Sequence, residues 1–241
     1  MTAKLPLVVA SLILIGGCSK PAAPSEAEQA ASRGAAPVVE THPPMARHFE
    51  EAARIRDAII AGELEDIREP ARWLAEGMSV IDYPEGWRSH VLRMQREAQA
   101  LVAIQDIDAA ATKSAMLATI CGECHTHLGV GPKLALAEPP EDTGGTAAHM
   151  LRHQWAAERM WEGLIAPSDD AWTTGAKALE DAPMAAKRLE EDVELPAEIV
   201  ELRARVHELA RTGSTVREPA HRAAILGEFL AGCAACHKGG C

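Results

Sequence analysis

The chain has 241 residues, 47% of them hydrophobic and 24% charged, and its formal net charge is −11 at pH 7. An acidic protein is not suited to a polyanionic partner, so nucleic-acid binding is not expected. The acidity instead favours docking to proteins with basic patches, or serves solubility alone.

The N-terminus has the pattern of an export signal. Lys4 precedes an apolar run from Leu5 to Ile15, which is too short to span a bilayer as a mature helix. The string Ile15-Gly16-Gly17-Cys18 resembles the lipobox of bacterial lipoproteins, in which the cysteine is lipidated and becomes the first mature residue. We therefore predict a signal peptide over residues 1–17 and lipidation of Cys18. The alternative is an ordinary secretory peptide, with Cys18 incidental.

Lipidation would place the protein on the periplasmic side of a bacterial membrane. In lipoproteins a residue such as Ser19 after the cysteine is associated with the outer membrane, so that resemblance favours the outer membrane here. Residues 18–41 are rich in Ala, Pro, Ser, Glu and Gly and cannot bury enough apolar surface to become ordered. We predict that they form a disordered tether.

Downstream of the tether, apolar residues recur at helical spacing, and no stretch alternates as a β-strand would. Four helices are predicted in the first half, at Pro44–Ala61, Leu64–Ala75, Pro84–Ile104 and Ile107–His127. Gly62 is a stop signal, and Pro70 should kink the second helix or mark its true start. After a linker at 138–147, four more are predicted at Ala148–Ala166, Asp169–Glu191 with a break at Pro183, Pro196–Arg211 and Val216–His237. The predicted fold is all-α, with an antiparallel four-helix bundle in each half.

The last helix of each half carries the string Cys-x-x-Cys-His. The first copy is Cys121, Cys124 and His125, and the second is Cys233, Cys236 and His237. Two thiols on one helical turn can form thioethers with the two vinyl groups of a haem, and the adjacent histidine can then bind the iron as its proximal ligand. The two copies predict two covalently bound haem c groups. A zinc site or a redox dithiol is the alternative.

An internal repeat relates the two halves. Met45-Ala46-Arg47-His48 returns as Met150-Leu151-Arg152-His153, a separation of 150 − 45 = 105 residues, and the haem motifs are 233 − 121 = 112 residues apart. We therefore predict two homologous modules, at residues 42–137 and 148–241.

The position of the haem motifs points to a family. Only four residues follow His237, so no downstream residue is expected to supply a distal ligand, as one does in class I cytochromes c. A four-helix bundle with the motif at the end of its last helix resembles the class II cytochromes c, of the cytochrome c′ type. In that family a residue near the N-terminal end of the first helix faces the sixth coordination position of the iron.

Carried onto this sequence, the resemblance points to the repeated strings that end in His48 and His153. These two histidines are the predicted distal ligands, with Met45 and Met150 as the alternative. A third possibility is an open iron, faced by Ala46 and Leu151. We interpret the remaining histidines as solvated side chains, namely His42, His90, His127, His149, His207 and His221, and the five tryptophans as core or haem-packing residues.

The sequence therefore predicts a membrane-anchored dihaem cytochrome that exchanges single electrons with periplasmic or membrane redox proteins. The alternative is a gas-binding or sensing protein of the cytochrome c′ type. An enzyme such as a dihaem peroxidase is not expected, because the chain shows no further catalytic constellation.

Overall fold

The computed structural model describes residues 43–132, 137–141, 146–180 and 197–239. The predicted signal peptide, Cys18, the tether and Cys241 lie outside these ranges, as do residues 142–145 of the linker and the segment around Pro183. Within the described ranges, no helix combines the length and apolar character needed to cross a membrane.

All regular structure in the described ranges is helical, as predicted, and these ranges contain no strand. Short 3₁₀ turns at Leu64–Ile67 and Val80–Asp82 flank the second helix. The α-helices are α1 Pro43–Ala61, α2 Arg68–Glu76, α3 Glu85–Ala103, α4 Ile107–Leu128, α5 Thr146–Ile165, α6 Asp169–Glu180, α7 Ala197–Gly213 and α8 Pro219–Gly239.

Local sequence explains where these helices begin and end. After α1, Gly62 has φ +75°, and the N–H of Glu63 donates to the Ala58 carbonyl at 2.9 Å, so a left-handed residue closes the helix. The side chain of Asp106 caps α4 by accepting from the N–H of Ala109 at 2.8 Å. Pro70 lies in the first turn of α2, where its missing N–H costs no hydrogen bond, so it marks the start of the helix and does not kink it.

Within each half, successive helices contact each other and the last helix returns to the first. In the first half α1 contacts α2, α2 contacts α3, α3 contacts α4, and α4 contacts α1. The helices α5 to α8 repeat this order of contacts in the second half. Each motif-bearing helix therefore packs against the helix that carries the repeated Met-x-x-His string.

The two halves also pack against each other. The motif-bearing helices α4 and α8 are in contact, α4 also contacts α5, and α8 also contacts α1. Buried side chains from both halves, including Ile55, Leu117, Trp161 and Leu226, form one continuous hydrophobic cluster. The end of each motif-bearing helix is therefore enclosed partly by the opposite half.

Buried charges lie between α1 and α5. The Arg56 guanidinium is 3.8 Å from the Glu158 carboxylate and stacks on the Trp161 ring, 4.9 Å from its centroid. Beside them, Arg159 donates to Glu162 at 2.7 Å. Burial raises the pKa of Glu162 to about 7, although Arg159 and Arg56 oppose the shift.

Candidate haem sites

The first motif lies in the last turns of α4. Cys121 and Cys124 are one turn apart, and none of the four described cysteines is in a disulfide. Burial, and then the neighbouring Cys124, raise the pKa of the Cys121 thiol to about 12, and burial raises the pKa of Cys124 too. Both sulfurs are therefore reduced and protonated at neutral pH, which is the form that adds to a vinyl group.

His125 is oriented by the opposite half. Its Nδ1–H donates to the main-chain carbonyl of Ile165, at the end of α5, at 2.6 Å. Since a carbonyl only accepts, this bond places the proton on Nδ1 and leaves the lone pair on Nε2. Metal-binding histidines commonly donate their second ring nitrogen to a carbonyl in this way. The side chain is therefore prepared to bind a metal through Nε2.

His48 lies close to His125, inside the protein. Its exposed fraction is 8%, and burial, followed by the nearby His125, lowers its pKa to about 4. The Trp73 ring packs edge-on against it at a centroid distance of 5.7 Å, and the Arg47 guanidinium stacks on that same Trp73 ring, 4.3 Å from its centroid. His48 is thus a buried, neutral imidazole and not a surface side chain.

The sequence did not reveal two further polar groups beside His48. The sulfur of Met78 contacts the Nε2 of His48, and the hydroxyl of Tyr83 lies 3.2 Å from the same nitrogen and 3.0 Å from the sulfur. Gln95 donates to the Met78 carbonyl at 2.9 Å and so holds this segment. Met78 and Tyr83 come from the connection between α2 and α3, which has no helical period to show which way its side chains face.

The second motif ends α8 and also faces the opposite half. Burial, and then Cys236, raise the pKa of the Cys233 thiol to about 12, while the His237 side chain is exposed. A Cβ placed on Gly62, at the end of α1, would lie 3.4 Å from the Ala234 carbonyl oxygen. Each motif therefore abuts the C-terminal end of the first helix of the other half, α5 for the first motif and α1 for the second.

His153 lies among two other histidines. Its ring centroid is 4.2 Å from that of His149 on the same helix and 5.9 Å from that of His207 on α7. Burial, followed by the charges of these two neighbours, lowers the pKa of His153 to about 3. The prediction that His149 and His207 are solvated was wrong, since His149 is only 2% exposed and His207 is half-buried. Sequence periodicity missed them because they lie on different helices.

The other predicted positions are less enclosed. Met45 and Ala46 are half-buried, whereas Met150 and Leu151 are 37% and 42% exposed. Of the five tryptophans, Trp155, Trp161 and Trp172 are fully buried and belong to the shared core, as predicted.

The thiols and imidazole of each motif do not converge as they would around a tetrahedral zinc ion. In the described part of the chain, the only three His, Cys, Asp or Glu side chains whose ligand atoms all lie within 4.8 Å of one another are His149, His153 and His207. The chain matches no protein-family model, no curated protein and no solved structure.

Proposed function

We propose that the protein is a lipid-anchored dihaem cytochrome c that transfers single electrons between redox proteins on the periplasmic side of a bacterial membrane. Each half would be a four-helix module of the cytochrome c′ type with one haem. The observation that carries the proposal is that His125 and His48 lie close together. The Ile165 carbonyl orients His125, and His48 is buried beside it.

The residues of the first half fit a haem c, and the second half repeats the same ligand types. Cys121 and Cys124 would hold the first haem and Cys233 and Cys236 the second, with His125 and His237 as proximal ligands. The separated thiols and imidazole suit a large macrocycle, whose vinyl groups lie at its edge and whose iron lies at its centre. When bound, the iron supplies reversible one-electron chemistry.

The protein side chains set the ligand properties. Burial lowers the pKa of His125, and the hydrogen bond from its Nδ1–H to the Ile165 carbonyl opposes this shift and orients the Nε2 lone pair. Burial keeps His48 unprotonated at neutral pH, and its Nε2 would serve as the distal ligand in the first half in place of its contacts with Met78 and Tyr83. By the internal repeat, His153 would have the corresponding role in the second half, and the exposed Met150 is a poorer candidate for a closed haem pocket.

The charge of the chain suits electron exchange with basic partners. A net charge of −11 would attract proteins with positive docking patches and speed their encounter. The anchor on Cys18 and the tether would hold the helical domain near its membrane.

The spin state of the haems tests this proposal. We expect mass spectrometry to show two haems per chain, and absorption and electron paramagnetic resonance spectra to show low-spin iron in both halves. His48→Ala should convert one haem to high spin and allow it to bind carbon monoxide, because the sixth ligand is lost.

Two methionine variants are the matched controls. Met45→Ala should leave the spectra unchanged, since His48 and not Met45 is the proposed ligand. If Met78→Leu removes the low-spin signal and His48→Ala does not, the distal ligand is Met78 and the potential should be higher. High-spin iron in both halves of the unmutated protein would contradict the electron-transfer proposal and favour the gas-binding alternative.

A further inference from the structure

We infer that His149, His153 and His207 form a site for a divalent transition-metal ion of the zinc class, which uses no residue of either Cys-x-x-Cys-His motif but shares His153 with the proposed second haem site. One nitrogen from each imidazole lies within 4.8 Å of the others. Around one zinc ion, with bonds of about 2.0–2.1 Å in tetrahedral geometry, such nitrogens stand about 3.3 Å apart. Small side-chain rotations would therefore bring these three to bonding distance.

The backbone places the three rings together. His149 and His153 are four residues apart and so share one face of α5, while His207 comes from α7. The ring centroids of His149 and His207 are 6.4 Å apart. Two ligands from one helix turn and a third from a neighbouring helix give a set that forms only in the folded chain.

The hydrogen bonding of His207 leaves its metal-binding nitrogen available. Its Nδ1–H donates to the Leu179 carbonyl, at the end of α6, at 2.8 Å, so the lone pair is on Nε2. The Nε2 atoms of His153 and His207 are buried and have no hydrogen-bond partner. Leaving such polar atoms without a partner inside a protein costs free energy, which a bound metal ion would recover.

The ligand type selects the class of metal, because all three side chains are imidazoles. Arg203 and Arg211 lie near His207 and are positively charged, so a metal ion would be held by its bonds to the imidazoles and not by the surrounding charge. Calcium and magnesium depend on charged oxygen ligands and would not bind to three neutral imidazoles. Zinc, copper and nickel bind imidazole strongly, so the site favours these metals. With three protein ligands, the fourth position of a zinc ion would be left for a small anion or water.

The test uses the full-length haem-loaded protein, freed of loosely bound metal with a chelator. Zinc chloride is the probe, and binding is measured by calorimetry and by metal analysis after desalting. We expect one zinc per chain, and we expect zinc to convert the second haem from low to high spin because His153 leaves its iron to bind zinc. Zinc affinity should fall by more than about 100-fold in His149→Ala and in His207→Ala, since even partners outside the first coordination shell are worth 10–100-fold.

A matched control uses the other close histidine pair. The ring centroids of His90 and His127 are 5.2 Å apart, and among the described residues these two histidines have no third metal-binding side chain close by. His90→Ala should therefore bind zinc like the unmutated protein. His207→Gln keeps a polar side chain of similar length and tests whether any loss is due to misfolding, which circular dichroism also reports.

Two results would overturn the inference: no zinc retained by the unmutated protein, or equal zinc affinity in the His207 variants and the unmutated protein. Because one Nε2 cannot bind two metals, zinc and the second haem iron would compete for His153. The haem count and the spin state before zinc is added report on the proposed haem function, whereas zinc retention reports on this site, so failure of one proposal can be told apart from failure of the other.

Discussion

Gly122 provides the sharpest test of how the two halves fit together. It is the first residue between the two cysteines of the first motif, and it is buried where α4 meets the end of α5. A Cβ at this position would overlap the carbonyl oxygen of Leu164 and lie 3.0 Å from the Cγ of Pro167. Atoms in good contact are about 3.5–4.0 Å apart, so Gly122→Ala must push the two helices apart.

The expected cost of this substitution follows from overpacking. Inserting one methyl group into a closely packed contact costs about 1–3 kcal/mol, and more when the obstacle is main chain. The change also pulls the Ile165 carbonyl away from His125, and this should alter the spectrum of the first haem. Guanidinium unfolding of the haem-loaded protein, followed by circular dichroism, measures the free energy of unfolding.

Two controls separate steric overlap from other effects. A Cβ on Gly86, in the first turn of α3, would meet no atom within 4 Å, so Gly86→Ala should stabilise the protein by about 0.5–1 kcal/mol. Glu123→Ala changes the same motif but removes only an exposed ion pair with Arg93, worth at most about 1 kcal/mol. If Gly122→Ala is as stable as Gly86→Ala, α4 does not pack against α5 as described.

Three further predictions concern buried polar groups and the anchor. Because burial raises the pKa of Glu162 from 4.5 to about 7, the folded state holds a proton that the unfolded state has lost between these values. Glu162 therefore makes its full contribution to the free energy of unfolding below pH 4.5. That contribution falls by up to about 3 kcal/mol as the pH rises through the folded-state pKa. Unfolding at pH 5 and pH 8 should show a smaller decline in Glu162→Gln than in the unmutated protein, and an equal decline would refute the shift. Trp172→Phe should cost about 1–3 kcal/mol in the same unfolding assay, because it removes the 2.8 Å hydrogen bond from Nε1 to the Gly213 carbonyl. Trp155→Phe is its control. This substitution should cost less, because the buried Nε1 of Trp155 has no hydrogen-bond partner to lose. Cys18→Ser should move the protein from the membrane fraction to the soluble periplasm, and continued membrane association would contradict lipidation.

The local features of this protein could be predicted from its sequence. Helical spacing, Gly62 as a stop signal and Pro70 near a helix start are properties of neighbouring residues. Helix ends that lie in the described ranges are within a few residues of those predicted, whereas the predicted end at Glu191 lies outside these ranges. The haem motifs and the repeated Met-x-x-His strings are also visible in the sequence, because their chemistry depends on residue types at short spacing.

The tertiary structure decided which groups surround these residues. The repeat predicted two tandem modules, but an apolar helix face does not specify the helix that covers it. Here α4 and α8 bury part of their surface against the opposite half. The Ile165 carbonyl reaches His125 only through that contact, and Met78 reaches His48 from a connection without periodicity. His149 and His207 looked like isolated polar residues because 58 positions separate them in sequence (207 − 149), and only the packing of α5 against α7 through α6 and α8 brings them together.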